Sequence, residues 1–384
     1  MNITFRKDEF LEKLYPAMGS VSSKNTINSI EGVLIEARKE TNSIKLTTYD
    51  MKKGVVAYMQ AERVLQEGSY IINAQRLQQI VKLMPEDIVN LTVDEKFCAV
   101  ISSGKSNFSL FALRGSDFPT IPELSGEAGF TIESYQLKKM INKVIHSVAE
   151  QDTRVMLCGA YFDIKGDEME VVSCDSYTLS RCTAKCDIKD LQKDGSGQFS
   201  FIVPGHALNE LTKIISDKGG VISIYLTRKH AIFNFDDMVF FTRLIDEEYI
   251  DYNRIIPKEQ TIHVTISRER LASALERANL IAEEKSQGNA RSYVKLTIED
   301  GALLLTSKSV TGEVYDEVPA KTEGGELKIA FNCRYLINSI RASEGDEIIL
   351  SFKGATQSMT VVPKEKKEDE DFFYMVLPVR MIEQ

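Results

Sequence analysis

The chain alternates between two hydrophobic periods. In "GSYIINAQRLQQIVKLMPED" (residues 68–87) apolar residues alternate as far as Asn73, which predicts a strand, then recur at helical spacing until Pro85 stops the helix. The pattern returns as "GQFSFIVPGHALNELTKIISDKGGVISIYL" (residues 197–226) and "GELKIAFNCRYLINSIRASEGDEIILSF" (residues 325–352), each an alternating run, a helix, a charged turn and another alternating run. A second unit, a short strand followed by a helix, also occurs three times: "NITFRKDEFLEKLYPAMGSV", "GFTIESYQLKKMINKVIHSV" and "IHVTISRERLASALERANLI". Its helix-opening residues Phe5, Ile132 and Ile266 are 127 and 134 residues apart, close to one third of 384. Short alternating runs such as "SIKLTTYD", "CAVISS", "EVVSCDS", "HAIFNFDD" and "VKLTIEDGALLLTS" fill the remainder and predict half-buried antiparallel strands. The fold class that follows is α+β: three tandem domains, each with two helices on one side of an antiparallel sheet, over residues 1–126, 127–258 and 259–384.

The recurring helices share a feature on their polar side. Leucine and base keep one offset in all three copies: Leu77 to Lys82, Leu208 to Lys213, Leu336 to Arg341. Five residues turn about 500°, or about 140° on the wheel, so a core-facing leucine sends the base toward solvent. Arg76 joins Lys82 on a helix that has no acid before Glu86. In the second opening helix, Leu137, Met140, Ile141, Val144 and Val148 form an apolar stripe, and Lys139 and Lys143 share the other face. Arg270 and Arg277 play that part in the third copy; in the first, Glu9 and Glu12 dilute Lys7 and Lys13. One such helix is an ordinary solvated face. Three in a chain of net charge −9 favour a cationic surface kept for a purpose.

The acidic balance, with a pI near 5.3, excludes a protein that coats nucleic acid by bulk attraction but leaves room for a local basic surface. The first ten residues, "MNITFRKDEF", are charged where a signal peptide needs an apolar run, and no stretch reaches the length of a membrane-spanning helix, so a cytoplasmic protein without a membrane partner is expected. The six cysteines form no CxxC pair and read as reduced thiols. Cys174, Cys182 and Cys186 fall at even spacing, as small residues on one strand face do. "SSGKSNF" (residues 102–108) lacks a phosphate-loop glycine, because Ala99 stands there. Four scattered histidines, of which His146 and His206 are expected as polar surface residues on helices, and the unspaced carboxylates offer no catalytic residue, metal site or cofactor site.

Similar domains joined head to tail form a curved array, which closes if the rotation per step permits. Two chains closing as six domains, each lining the hole with two helices, give a circumference of roughly 115 Å through the helix axes. Allowing for helix radii, the opening is about 27 Å, wide enough for a DNA duplex and a film of water.

The threefold unit, with "DFP" (residues 117–119), "DYNRIIP" (residues 251–257) and the terminal "YMVLPVRM" (residues 374–381), resembles the bacterial sliding clamps, the beta subunits of DNA polymerase III, over essentially the whole chain. The resemblance implies a non-catalytic homodimeric ring that encircles double-stranded DNA, raises the processivity of the replicative DNA polymerase and is opened by an ATP-driven clamp loader. It also implies an apolar pocket between the second and third domains for the peptides of polymerase and other clamp-binding-motif proteins. The matching positions are Leu157, Cys174, Ser176, Tyr177, Thr178, Leu179, Ile250, Arg254, Ile255, Thr356, Ser358, Met375, Val376, Leu377, Pro378, Val379, Arg380 and Met381. The apolar terminal stretch reads equally as groove and as final core strand, since alternate side chains can serve both.

For DNA contact the resemblance adds Lys24, Gln151, Arg154, Lys285 and Arg291 to the helix bases Arg76, Lys82, Lys139, Lys143, Lys213, Arg277 and Arg341. It places Phe108 on one dimer edge and Leu280 with Ile281 on the other. Four features depart from the family pattern, one being that Ile382 to Gln384 extend past the usual end. "CDSYTL" (residues 174–179) stands where many clamps have "TDGHRL", Val155 and Met156 stand where some have a tyrosine pair, and a charged run "KEKKEDED" (residues 364–371) reads as a solvated loop. The competing reading is a peptide-binding scaffold that does not engage DNA.

Overall fold

The structure, a computed structural model, describes residues 1–22, 28–126, 128–190, 198–217, 219–282, 293–309 and 312–380. The helical-period runs form α1 (Lys7–Ala17), α2 (Ala74–Leu83), α3 (Ser134–Val144), α4 (Gly205–Ile214), α5 (Arg268–Ala282) and α6 (Cys333–Ala342), two in each copy. Helix α2 shows how the sequence sets its ends. The Asn73 side chain accepts the Arg76 N–H at 3.0 Å, a cap whose loss to alanine costs about 1 kcal/mol. Ala74, Leu77 and Val81 are buried, and Met84, held extended ahead of Pro85, closes the last turn. Helix α6 starts the same way, with Asn332 accepting the Arg334 N–H at 3.0 Å.

The alternating runs form antiparallel strands, many with one face buried, while Met238–Arg243 and the first half of Lys53–Gln60 are buried on both faces. Packing gathers the chain into two compact units, and the division runs through the middle copy: Met1–Tyr135, Asp187–Ser196 and His206–Leu244 in unit 1, and Gln136–Cys186, Gly197–Gly205 and Ile245–Gln384 in unit 2. Unit 1 is built on one 14-stranded sheet and unit 2 on one of 12 strands. In unit 1 the middle copy's strand Met238–Arg243 pairs with Lys53–Gln60 of the first, Val239 opposite Val56. In unit 2 Thr178–Lys185 pairs with Glu370–Val376 of the third copy, Leu179 opposite Met375. Large side chains fill both interiors. Phe5 and Phe10 stack at 4.2 Å under α1, and Phe331, Phe352 and Tyr374 are fully buried in unit 2, each contributing about 1.5–3 kcal/mol.

Several strands in each unit are paired along only part of one side, and two of them carry exposed aromatic rings. The strand Ser106–Arg114 meets Gly68–Asn73 only through Ala112, Leu113 and Arg114, so residues 106–111 have Cys98–Ser103 as their single strand neighbour. In unit 2, Glu313–Glu323 meets Ile262–Ser267 only from Ala320 onward, so residues 313–319 pair with Ala302–Lys308 alone. Such half-open edges are templates for another strand.

Candidate nucleic-acid interface and peptide groove

The helix bases fall into three states. On α2, Arg76 and Lys82 are exposed and have no carboxylate partner among the described residues; Lys82 in the last turn also suits the negative helix end. On α4, Lys213 is exposed and meets Glu210 at 2.9 Å; on α6, Arg341 meets Glu276 at 2.7 Å; on α5, Arg277 Nε meets Asp316 at 2.7 Å. Surface pairs of this kind contribute about 0–1 kcal/mol, so each base can exchange its carboxylate for a phosphate at little cost.

Helix α3 corrects the sequence expectation. Lys139 and Lys143 do not form a solvated face: Lys139 Nζ lies 2.6 Å from Glu370, and Lys143 Nζ lies 3.0 Å from Glu344 and donates to the Ala342 carbonyl at 2.6 Å. Both ammonium groups sit over the Phe372 ring, Lys143 at 4.5 Å from its centroid. The polar side of α3 is covered by the strand Glu370–Val376 and by the turn after α6, whose carboxylates require cations. Lys143 is only 8% exposed. Burial alone would raise the Glu344 carboxyl, but hydrogen bonds from Lys367 and Lys143 outweigh it and hold it down to about 2. Residues 364–369 form an exposed loop, as expected, and the end of the charged run joins this network through Glu370 and through Lys367, which pairs with Glu344 at 2.8 Å. His146, just past α3, is half-buried beside the Tyr374 ring, with Ser180 Oγ at 3.1 Å, instead of lying on the surface; burial and then the charge of Lys143 push its imidazole down to about 4. His206 is exposed, as expected.

Arg154 is not a free cation either. Its guanidinium binds Asp152 through Nε and Nη2, both at 3.1 Å, and Nη2 donates to Ser176 Oγ at 2.5 Å, which holds the Asp152 carboxyl down to about 2. This places Arg154 against the turn at Ser176 in unit 2. Gln151 is exposed nearby in sequence, while Lys24, Lys285, Arg291 and Met381 lie outside the described residues.

A buried apolar cluster of Leu157, Val172, Cys174, Leu179, Tyr252 and Met375 lies in unit 2, and Met156, Tyr249, Ile250 and Ile256 pack half-exposed against it. A tight turn frames it. Asp175 Oδ1 accepts the Tyr177 and Thr178 N–H groups at 2.9 and 2.6 Å, and Ser176 takes φ 77°, a left-handed conformation that the Asp hydrogen bonds stabilise. Tyr177 is 57% exposed and stacks on Tyr335 of α6 at 5.8 Å. The terminal stretch supplies a final core strand, as one of the two readings of its alternation expects. Val376 is fully buried and ends the strand, and Leu377 N–H donates to the Tyr177 carbonyl at 2.8 Å. Val379 N–H donates to the Ala330 carbonyl at 2.7 Å; Leu377 is exposed and Pro378 and Val379 are half-exposed. Ile255 and Arg380 are exposed and Arg254 pairs with Asp251 at 2.8 Å; Thr356 and Ser358 sit in the loop before the strand Met359–Pro363.

Sequence reasoning missed Asp152, Tyr249 and Tyr335. Tyr335 adjoins the buried Leu336 on α6, and nothing in the helical period says which partner an intermediate position meets. It also missed the strongest apolar features of the two open edges. Phe111 is 91% exposed beside Phe108 on one, and Tyr315 is exposed on the other, to which α5 brings the 77% exposed Leu280 and half-buried Ile281.

Three family models match consecutive parts of the chain: the N-terminal domain of the DNA polymerase III beta subunit over residues 1–122, its central domain over 131–251 and its C-terminal domain over 253–380. The chain belongs to the DNA polymerase III beta subunit family. Curated relatives include the beta sliding clamp of Bacillus subtilis (strain 168), 27% identical over 99% of this chain and 100% of the relative, and that of Staphylococcus aureus, 28% identical over 99% of each. Among solved structures, the Bacillus subtilis DNA polymerase sliding clamp superposes with a TM-score of 0.89 at 27% identity, covering both chains fully. The Streptococcus pneumoniae DNA polymerase III beta chain gives 0.89 at 26%, covering 99% of this chain and 100% of its own. A beta sliding clamp is a processivity factor in DNA replication and not an enzyme, and three tandem clamp domains of helix and antiparallel sheet make up this one.

Proposed function

We propose that two copies of this chain close head to tail into a six-domain ring around duplex DNA and hold the replicative polymerase to its template while sliding without sequence preference. The observation that carries this reading is a pair of half-open strand edges with exposed aromatic rings, one taken from each unit. Residues 106–111 present Phe108 and Phe111 beside Lys105 and Arg114, and residues 313–319 present Tyr315 beside Glu313, Asp316 and Glu317. The two edges are complementary in charge and unlike each other, so a two-fold axis pairs each with the other's counterpart twice and the assembly closes. Phe108 meets Leu280 and Ile281 across each interface.

Inside the ring, Arg76 and Lys82, joined by Lys213, Arg277 and Arg341, attract phosphates without reading bases. Gln151, Lys24, Lys285 and Arg291 supplement them. The domains are residues 1–126, 127–258 and 259–384. A clamp loader opens one interface, and polymerase and other partners insert a short apolar peptide into the groove of unit 2. The ring works in the cytoplasm. Loading on nicked circular DNA followed by linearisation tests encirclement: retention at high salt, then loss from the ends, is expected. Equal salt sensitivity on circular and linear DNA would overturn it in favour of a scaffold that never surrounds DNA.

A further inference from the structure

A chain of buried hydroxyls ties the turn at Asp175–Thr178 to the end of α3. Thr178 Oγ1 lies 2.9 Å from Asp175 Oδ1 and 2.9 Å from Ser147 Oγ. Ser147 Oγ lies 2.6 Å from Ser180 Oγ, which in turn lies 3.1 Å from His146 Nε2. Thr178, Ser147 and Ser180 are all buried, so solvent does not reach the chain between its two ends.

The hydrogens of this chain can be counted. Four contacts need four hydrogens, and the three hydroxyls supply three. The Asp175 carboxylate only accepts, and its Oδ1 already takes the Tyr177 and Thr178 N–H groups at 2.9 and 2.6 Å. The fourth hydrogen has to come from the other end, on His146 Nε2. Every donor then points one way: His146 to Ser180, Ser180 to Ser147, Ser147 to Thr178, Thr178 to Asp175. With the imidazole proton on Nδ1, Nε2 must accept, every hydroxyl turns round, and the Thr178 oxygen faces the Asp175 carboxylate with no hydrogen between them, at the cost of an unmade buried bond.

The first copy makes the same span with one side chain. Its helix end corresponds, because Thr48 Oγ1 donates to the carbonyl of Ala17, the last residue of α1, at 2.9 Å, as Ser173 Oγ donates to that of Val144, the last residue of α3, at 2.5 Å. Its turn corresponds too, with Asp50 Oδ1 accepting the Lys52 and Lys53 N–H groups at 2.9 and 2.8 Å. Gly19 stands where the other copy has His146, two residues past the helix. Lys53, in the place of Thr178, donates to Asp50 at 2.8 Å and to the Gly19 carbonyl at 2.6 Å. Ser20, in the place of Ser147, keeps a buried hydroxyl with no partner among the described residues. Each copy thus joins its turn carboxylate to the second residue past the helix, by an ammonium in one and by hydroxyls and an imidazole in the other.

We infer that His146 carries its proton on Nε2 and is the positioning residue of this turn, donating into a one-way hydroxyl chain that fixes Asp175 and with it the left-handed Ser176 and the exposed Tyr177. Its consequence for partners rests on the peptide reading above, because the turn is what holds Tyr177 in place.

Nitrogen spectra of the full chain with labelled histidine, in which His146 is identified by its loss in His146→Gln, are expected to show Nε2 as the protonated ring nitrogen and Nδ1 as the bare one at neutral pH. The reverse assignment would overturn the inference, and this measurement needs no folded variant. Hydrogen exchange is the second arm. His146→Leu is expected to speed exchange of the Tyr177 and Thr178 amides roughly three- to tenfold, the scale of one lost hydrogen bond, while His146→Gln, whose amide donates from the Nε2 position, stays within about twofold of the parent. Unchanged exchange in His146→Leu, or an equal rise in both variants, would overturn the positioning role. Binding of the replicative polymerase subunit from the same organism is expected to weaken in His146→Leu and to recover in His146→Gln. If the unaltered chain binds no polymerase subunit, the peptide reading falls, and the ring-nitrogen and exchange results alone decide the role of His146.

Discussion

Helices α2 and α3 carry the same arrangement in sequence, bases opposite a buried apolar stripe, and end in opposite states. Arg76 and Lys82 stand in solvent without a carboxylate partner among the described residues. Lys139 and Lys143 are clamped by Glu370 and Glu344 over an aromatic ring. A helical wheel identifies the side that faces away from the helix's own core. It does not say whether water or another part of the protein covers that side. For α3 the cover comes from a strand about 230 residues further along, as the separation of 231 between Lys139 and Glu370 records. The bases of α2 are therefore available to an external anion, and those of α3 already serve an internal one.

Breaking the α3 network gives the largest expected effect. Glu344→Gln removes the negative charge that compensates the buried Lys143 ammonium, and a loss of roughly 3 kcal/mol is expected in urea denaturation of unit 2. Lys82→Ala is expected within about 0.5 kcal/mol of the parent in the same assay. Acid sharpens the same contrast. His146 is neutral in the folded chain, its imidazole lowered to about 4 from 6.5, so the unfolded chain binds the extra proton between those values. Its contribution is complete above about pH 6.5 and falls away toward pH 4, by on the order of 2–3 kcal/mol. Glu344, lowered to about 2 from 4.5, adds a second loss only as pH falls from about 4.5 toward 2. Thermal melts from pH 7 to pH 4 should show the first slope, and His146→Gln should flatten it.

On DNA the ranking of the two helices reverses. Replacing Arg76 and Lys82 by alanine should reduce the slope of log affinity against log salt by about 0.9 for each phosphate no longer neutralised, whereas Lys139→Ala should leave it unchanged. An equal drop for Lys139 would mean that the α3 network opens on DNA. The smallest change is expected from the double replacement Lys143→Met with Glu344→Leu, near neutral or slightly stabilising by denaturation, because exchanging a buried pair for apolar side chains removes its desolvation cost.

Much of this was legible in the sequence because it is local. The threefold repeat, the short strands and the helix ends at Asn73 and Pro85 depend on residues within one turn or one strand of each other. The left-handed turn at Ser176 could also be read from Asp175, whose side chain caps the two following N–H groups. What was not legible depends on pairing between distant segments. Alternation shows that Met238–Arg243 is a strand, and it does not reveal that its neighbour is Lys53–Gln60 of another copy. The charged run is solvated over 364–369 as read, but a charge pattern cannot show that its Glu370 is drawn in beneath Lys139. Tyr335 and Phe111 escaped for the same reason: partial exposure follows from which neighbour is missing.

The middle copy's strands are shared out between the 14-stranded and 12-stranded sheets, and this bears on how the chain comes apart. A triplicated gene need not yield three cooperative melting blocks. Hydrogen exchange should therefore follow the two sheets, with Met238–Arg243 opening together with Lys53–Gln60 and Thr178–Lys185 together with Glu370–Val376, so that excising the central third would fray both remaining pieces instead of releasing an intact module.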